Sequence, residues 1–168
     1  MGKKEEKLII EAHQRRQATE DQYNRFNIEP TEVAGITVRS RLEALWLEEL
    51  QDCDHFKCVE CTKVPIWIQG AYGPFLSNYT PDFVVENNTN HERVFIELKP
   101  NKDLALGDDR QQRALELNPR YRFIVIGGYP YSRKGVTVRL LTGKQEIVHH
   151  GISVCQVLEF LGCRCKDQ

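Results

Sequence analysis

Apolar side chains along this chain recur in two rhythms, and the changes between them mark out the expected elements. Leu42, Leu45, Trp46 and Leu50 fall at offsets of three, four and eight, the stripe of a helix with one buried face. Ser40 stands at its N-cap position and Glu43 three residues on fits a capping box. Val64, Ile66 and Ile68 alternate with Pro65, Trp67 and Gln69, so residues 56–68 are expected to be extended. Gly70, Gly73 and Pro74 signal a turn, residues 75–85 a second strand, and Asn87-Asn88-Thr89-Asn90 a further turn. Residues 93–98 read as a third strand, ended by Pro100, which has no N–H to give to a ladder. Residues 108–117, with Ala114, Leu115 and Leu117, read as a second helix closed by Asn118-Pro119. The continuous run Phe123-Ile124-Val125-Ile126 predicts a strand buried on both faces and ended by Gly127-Gly128. Residues 136–141 predict another strand and residues 152–161 a closing amphipathic helix. Upstream, residues 4–26 are rich in Glu, Gln and Arg and read as an exposed helix, with residues 27–37 as a linker.

This order gives an α/β chain, with residues 1–37 as an N-terminal extension and linker and residues 38–168 as one domain. The expected architecture is a central mixed sheet of roughly four to five strands flanked by helices. No apolar run approaches the roughly 20 residues that span a bilayer, and the N-terminus lacks the apolar region of a signal peptide, so a cytoplasmic protein with no membrane partner is expected. The formal net charge of −1 does not announce a polyanion partner, but its distribution does more. Residues 117–145 hold no acid, while Arg120, Arg122, Arg133, Lys134, Arg139 and Lys144 fall there with Tyr129 and Tyr131 interleaved. Such a tract can follow a phosphate backbone or form a solvated basic face. Six cysteines without an export signal point to reduced thiols. Cys58 and Cys61 with Cys163 and Cys165 are also a candidate structural zinc site.

The candidate chemistry lies in Pro81-Asp82 and Glu97-Leu98-Lys99. Side chains alternate along a strand, so Glu97 and Lys99 share a face and Leu98 takes the other. The Asn-rich turn makes the preceding strand an antiparallel neighbour, which brings Asp82 toward Glu97. Two clustered carboxylates repel each other unless a cation neutralises them, and a hard, oxygen-seeking ion such as magnesium suits them. Both acids sit in apolar runs, Tyr79-Thr80-Pro81-Asp82-Phe83-Val84-Val85 and Val94-Phe95-Ile96-Glu97-Leu98-Lys99, where unpaired charge is costly. Glu-x-Lys is also an ordinary strand ion pair, and Pro-Asp an ordinary turn.

Together with Arg39-Ser40-Arg41-Leu42-Glu43, these motifs resemble the signature of the PD-(D/E)xK nuclease superfamily. The wording Arg-Ser-x-x-Glu, Tyr-x-Pro-Asp-Phe and Glu-x-Lys-Pro is most similar to TnsA-type transposon end nucleases and small phage or mobile-element nucleases. The resemblance implies a restriction-endonuclease-like αβββαβ core. It implies that Asp82, Glu97 and the backbone of Leu98 hold magnesium, with manganese able to replace it, that Glu43 binds through water or a second ion, and that Lys99 positions the attacking water. It further implies hydrolysis of a DNA phosphodiester to 5′-phosphate and 3′-hydroxyl ends, with Gln111 or Gln112 at the DNA. One metal cluster cuts one strand, so a homodimer or partner protein is implied for double-strand cleavage. TnsA-type proteins carry a C-terminal domain for which this chain has too few residues. The competing readings are a non-catalytic DNA-binding or assembly module on the same fold, and a zinc-stabilised interaction protein.

Overall fold

The computed structural model describes residues 31–164 apart from Ala34 and Glu60. The expected N-terminal helix over residues 4–26, and Cys165, lie outside the described residues. Within the expected linker, β1 (Thr31–Val33) and β2 (Ile36–Val38) pair as an antiparallel hairpin. Ile36 and Val38 are buried in the core. The boundary expected after residue 37 is therefore corrected: apolar side chains on alternate positions of β2 draw the supposed linker into the domain.

Helix α1 (Arg41–Gln51) begins as expected, with the Ser40 side chain accepting from Glu43 N at 3.1 Å and Glu43 Oε2 accepting from Arg39 N at 2.8 Å. Its buried stripe is Leu42, Trp46, Leu47 and Leu50; Leu45 lies beside it, half-buried. The expected strand over residues 56–68 divides into β3 (Phe56–Val59) and β4 (Val64–Gly70). That over residues 75–85 divides into β5 (Gly73–Tyr79) and β6 (Phe83–Asn87), and β7 (Arg93–Lys99) follows. The breaks have one cause. β4 and β5 form a separate two-stranded sheet, and the chain leaves it for the central sheet at Thr80-Pro81-Asp82, where proline has no ladder donor.

Two helices, α2 (Lys102–Gly107) and α3 (Arg110–Leu117), carry the chain over to β8 (Arg122–Gly127), which pairs parallel with β7. Then come β9 (Val136–Thr142), β10 (Glu146–Ile152) and α4 (Val154–Phe160). The central sheet has six strands in the order β10-β9-β8-β7-β6-β3, antiparallel except for β7 with β8. The fold is thus α/β with a mixed six-stranded sheet and flanking helices. Besides β1 and β2, two elements had no clear sequence signal: α2 buries only Ala105, so it has no stripe, and β10 is an edge strand whose Ile147 and Val148 stay exposed. No helix of the described residues is long and apolar enough to cross a membrane.

Alternation along the strands divides the interior into two cores. On one face Phe83, Val85, Ile96, Leu98, Ile124, Ile126 and Val138 pack with α1 and with Val157 and Leu161 at the C-terminal end. On the other, Val84, Phe95, Phe123, Val125 and Leu141 pack with Ala105, Ala114, Leu115 and the β4–β5 hairpin. Phe95 and Phe123 stack across the parallel pair with centroids 5.2 Å apart. At the end of β8 the backbone of Asn101 and the side chain of Ala105 press on Gly127, where an added Cβ would meet both at 2.7 Å. Gly127→Ala is expected to destabilise the protein by about 1–3 kcal/mol, read as a lower urea midpoint at unchanged slope.

Candidate active site

Asp82 and Glu97 face each other as the strand pattern requires. The β6–β7 register pairs Phe83 with Ile96, and one further step sets Asp82 opposite Glu97. Asp82 Oδ2 accepts the Leu98 N–H at 2.7 Å, which ties the break after Pro81 to β7. Glu97 is buried, at 5 % exposure, and lies on the same sheet face as Phe95, toward α2 and α3. Lys99 Nζ reaches Glu97 Oε1 at 2.9 Å. Three residues of the expected set, Asp82, Glu97 and Lys99, are therefore one cluster.

Two further residues complete it. Arg110 Nη2 lies 2.5 Å from Glu97 Oε1 and 2.6 Å from Asp108 Oδ2, and Lys99 Nζ lies 3.3 Å from the same Asp108 oxygen. The Arg110 guanidinium also stands over the Tyr79 ring, 4.9 Å from its centroid. No periodicity or local motif announces Asp108 and Arg110, because they meet Glu97 only through the α2–α3 connection. The nearest signal is their place at the start of the helix that follows a Glu-x-Lys strand.

The electrostatics separate the two aspartates. Burial, then the charge of Glu97, push the Asp82 carboxyl up to about 8 despite the Leu98 N–H, and Glu43 adds to the rise. Burial also pushes Asp108 up, but hydrogen bonds from Arg110 and Gln111 and the charges of Arg110 and Lys99 outweigh it and hold Asp108 well below the usual carboxylate range. Asp82 therefore carries a proton at neutral pH unless a cation replaces it. Folded Asp82 keeps that proton over a pH range in which the unfolded chain has released it, so stability falls as pH rises from about 4 to about 8. Asp82→Asn is expected to raise stability at pH 8 by about 2 kcal/mol, with a smaller gain at pH 5, in urea titrations without divalent ions.

Glu97 Oε2 is buried with no hydrogen-bond partner. An orphaned carboxylate oxygen beside a second carboxyl that charges only with help is a hard-oxygen donor set, and it suits magnesium or manganese. Asp82, Glu97 and the backbone of Leu98 are the residues that would hold it. Glu43 is placed otherwise than a direct ligand. Its carboxylate is engaged at the cap of α1 by Arg39 N and Ser40, and it reaches Asp82 only as a charge. Among the described residues, Glu43, Asp82 and Glu97 do not bring three ligand atoms within 4.8 Å of one another; Cys53, His55 and Cys163 do.

The expected DNA contacts scatter. Gln111 is fully buried, which corrects its expected place at a DNA strand: its Nε2 donates to Asp108 Oδ2 at 3.2 Å. Gln112 is half-buried and donates to Glu146 Oε2 at 3.1 Å. Arg139 does not belong to a basic surface: it is 2 % exposed, paired with Glu146 at 2.7 Å. Arg133 and Lys134 are exposed in the β8–β9 loop, at the strand end that holds Lys99. Arg120 and Arg122 are exposed at the opposite end, about 16 Å away along β7 from Lys99, and Arg122 pairs with Glu92 at 3.3 Å.

The expected zinc set is also rearranged. Cys58 and Cys61 have thiols pushed up to about 12, by burial in both and by Asp82 and Glu97 in Cys61, so they stand as neutral thiols. Cys163 instead approaches Cys53 and His55. Comparison with protein-family models, curated proteins and solved structures gives no match to this chain.

Proposed function

We propose that the chain is a magnesium-dependent nuclease of the PD-(D/E)xK type that hydrolyses phosphodiester bonds in DNA. The observation that carries this reading is the Asp82–Glu97 pair with Lys99 beside it: a half-buried carboxyl at the head of the strand next to an orphaned carboxylate oxygen, with an ammonium 2.9 Å from the latter's partner oxygen. The order of α1, then β3, β6 and β7 as an antiparallel set, then α2 and α3, then β8 parallel to β7, is consistent with the αβββαβ core of that superfamily, with β4–β5 as an excursion between β3 and β6.

A bound magnesium ion would polarise the scissile phosphate and lower the pKa of a water. Asp82 and Glu97 would hold it through carboxylate oxygens, with Asp82 losing its proton on loading. Lys99 stands within hydrogen-bond reach of Glu97 and is the ammonium available to orient a nucleophilic water or to stabilise charge on a phosphoryl oxygen. Glu43 contributes negative potential at Asp82. Arg110, itself held by Asp108, fixes Glu97 from the helix side. The exposed Arg133 and Lys134 lie at the site's end of the sheet and are the basic residues suited to a DNA backbone there.

One observation favours a second reading. Glu97 Oε1 already has two intramolecular cations, Lys99 and Arg110, which is how a non-catalytic module retaining this fold would silence its acids. Cleavage assays on supercoiled, branched and single-stranded DNA in magnesium and in manganese decide between the two. The nuclease reading predicts nicking that vanishes with chelator and in Asp82→Ala; activity equal to that variant sinks it. Because Asp82 must lose its proton, cleavage at sub-saturating magnesium is expected to rise about tenfold or more between pH 6 and pH 8.

A further inference from the structure

Away from the carboxylates, three side chains with soft donors converge from remote parts of the chain. Cys53 follows α1, His55 immediately precedes β3, and Cys163 follows α4. Their ligand atoms all lie within 4.8 Å of one another. His55 Nδ1 stands 3.5 Å from Cys53 Sγ and 4.0 Å from Cys163 Sγ, and the two sulfurs are 2.6 Å apart. Both cysteines are buried at the margin of the core on the α1 face, while His55 is exposed.

We propose that Cys53, His55 and Cys163 form a structural zinc site, independent of the nuclease reading. Two thiolates and an imidazole are the donor set that zinc takes in preference to the oxygen-seeking ions suited to Asp82 and Glu97. Zinc bond lengths of about 2.3 Å to sulfur and 2.1 Å to nitrogen set tetrahedral edges near 3.6 Å for a nitrogen–sulfur pair. The two His55 distances bracket that value, and the sulfurs would separate by about 1 Å on loading. In sequence the three are a Cys-x-His pair and a distant cysteine, and together they fill three of zinc's four tetrahedral positions. Loading would join the end of α1 to the end of α4, two segments 110 residues apart. On binding, each thiol releases its proton to solvent and no redox change occurs.

The test is the metal content of the full chain purified under reducing conditions, read by mass spectrometry. About one zinc per chain is expected, retained in Cys58→Ser and Cys61→Ser and reduced at least tenfold in Cys53→Ser and Cys163→Ser. Should the cysteine variants fail to fold, wild-type protein loaded with cobalt still decides: a thiolate-to-cobalt charge-transfer band with tetrahedral visible absorption is expected. Wild-type protein without zinc and without that band overturns the proposal. So does recovery of a Cys53–Cys163 cross-linked peptide from non-reducing digestion, or full zinc content in Cys53→Ser.

Discussion

Lys99→Ala and Asp82→Ala are each expected to lower magnesium-dependent DNA cleavage by roughly a thousandfold or more while leaving the circular dichroism spectrum unchanged. For Asp82 the reason is a lost ligand: Glu97 alone, with Oε1 committed to Lys99 and Arg110, offers the ion a single free oxygen. For Lys99 it is the loss of the ammonium from the site, while Arg110 still neutralises Glu97 and keeps the cluster folded. The two variants are expected to diverge in their response to metal. Excess manganese recovers part of the activity lost in Lys99→Ala, because the ligands remain, and none of that lost in Asp82→Ala. Cleavage by either variant within tenfold of wild type would remove the catalytic roles assigned to these residues.

Replacing Arg139 by methionine is expected to cost about 3–5 kcal/mol of stability, the largest single-site loss foreseen outside the apolar core. Arg139 Nη1 donates to the backbone oxygens of Ala105 and Asp108, both at 2.7 Å, and Nε donates to Glu146 at 2.7 Å. Methionine fills much of the same volume but donates nothing, so the two carbonyls lose their partner under cover. A urea titration should show the midpoint falling with little change in slope. A loss below about 1 kcal/mol would mean that water replaces the guanidinium. Because the Asp108 carbonyl is one of the acceptors, the same substitution should loosen the α2–α3 connection and reduce cleavage more than stability alone explains. Arg139→Lys, which keeps the charge but not the fork of donors, should recover only part of either loss.

The parts of this arrangement that are local were legible in the sequence. The stripe and cap of α1, the alternation that puts Glu97 and Lys99 on one face, and the apolar run of β8 from Phe123 to Ile126 all follow from spacing over a few residues. Placing Asp82 opposite Glu97 required only a turn signal and the antiparallel rule. What stayed hidden depends on contacts between distant segments. Alternation shows that residues 64–68 and 75–79 are extended, but not that they pair with each other in a separate sheet. A basic tract reads the same whether its arginines face solvent, as Arg120 does, or lie buried, as Arg139 does. Asp108 and Arg110 stand in no recognisable pattern, and the Cys-x-His of Cys53 and His55 names no third donor, since the partners are brought in by the crossover helices or by the far end of the chain.

The single parallel pair, β7 with β8, has a geometric result for the whole domain. With β6 and β9 antiparallel to their neighbours, the start of β6, the ends of β7 and β8 and the start of β9 all emerge along one rim of the sheet. That rim carries Asp82, Lys99 and the loop with Arg133 and Lys134. The opposite rim is closed by short connections, with Gly143 pressed against Pro119 so tightly that a Cβ would lie 2.4 Å from its carbonyl oxygen. The polar residues of the candidate site and the long β8–β9 connection therefore share one rim, and short turns share the other. A change in the exposed part of the β8–β9 loop can thus alter the surroundings of Lys99 without touching the turns at the far rim that keep the strands in register.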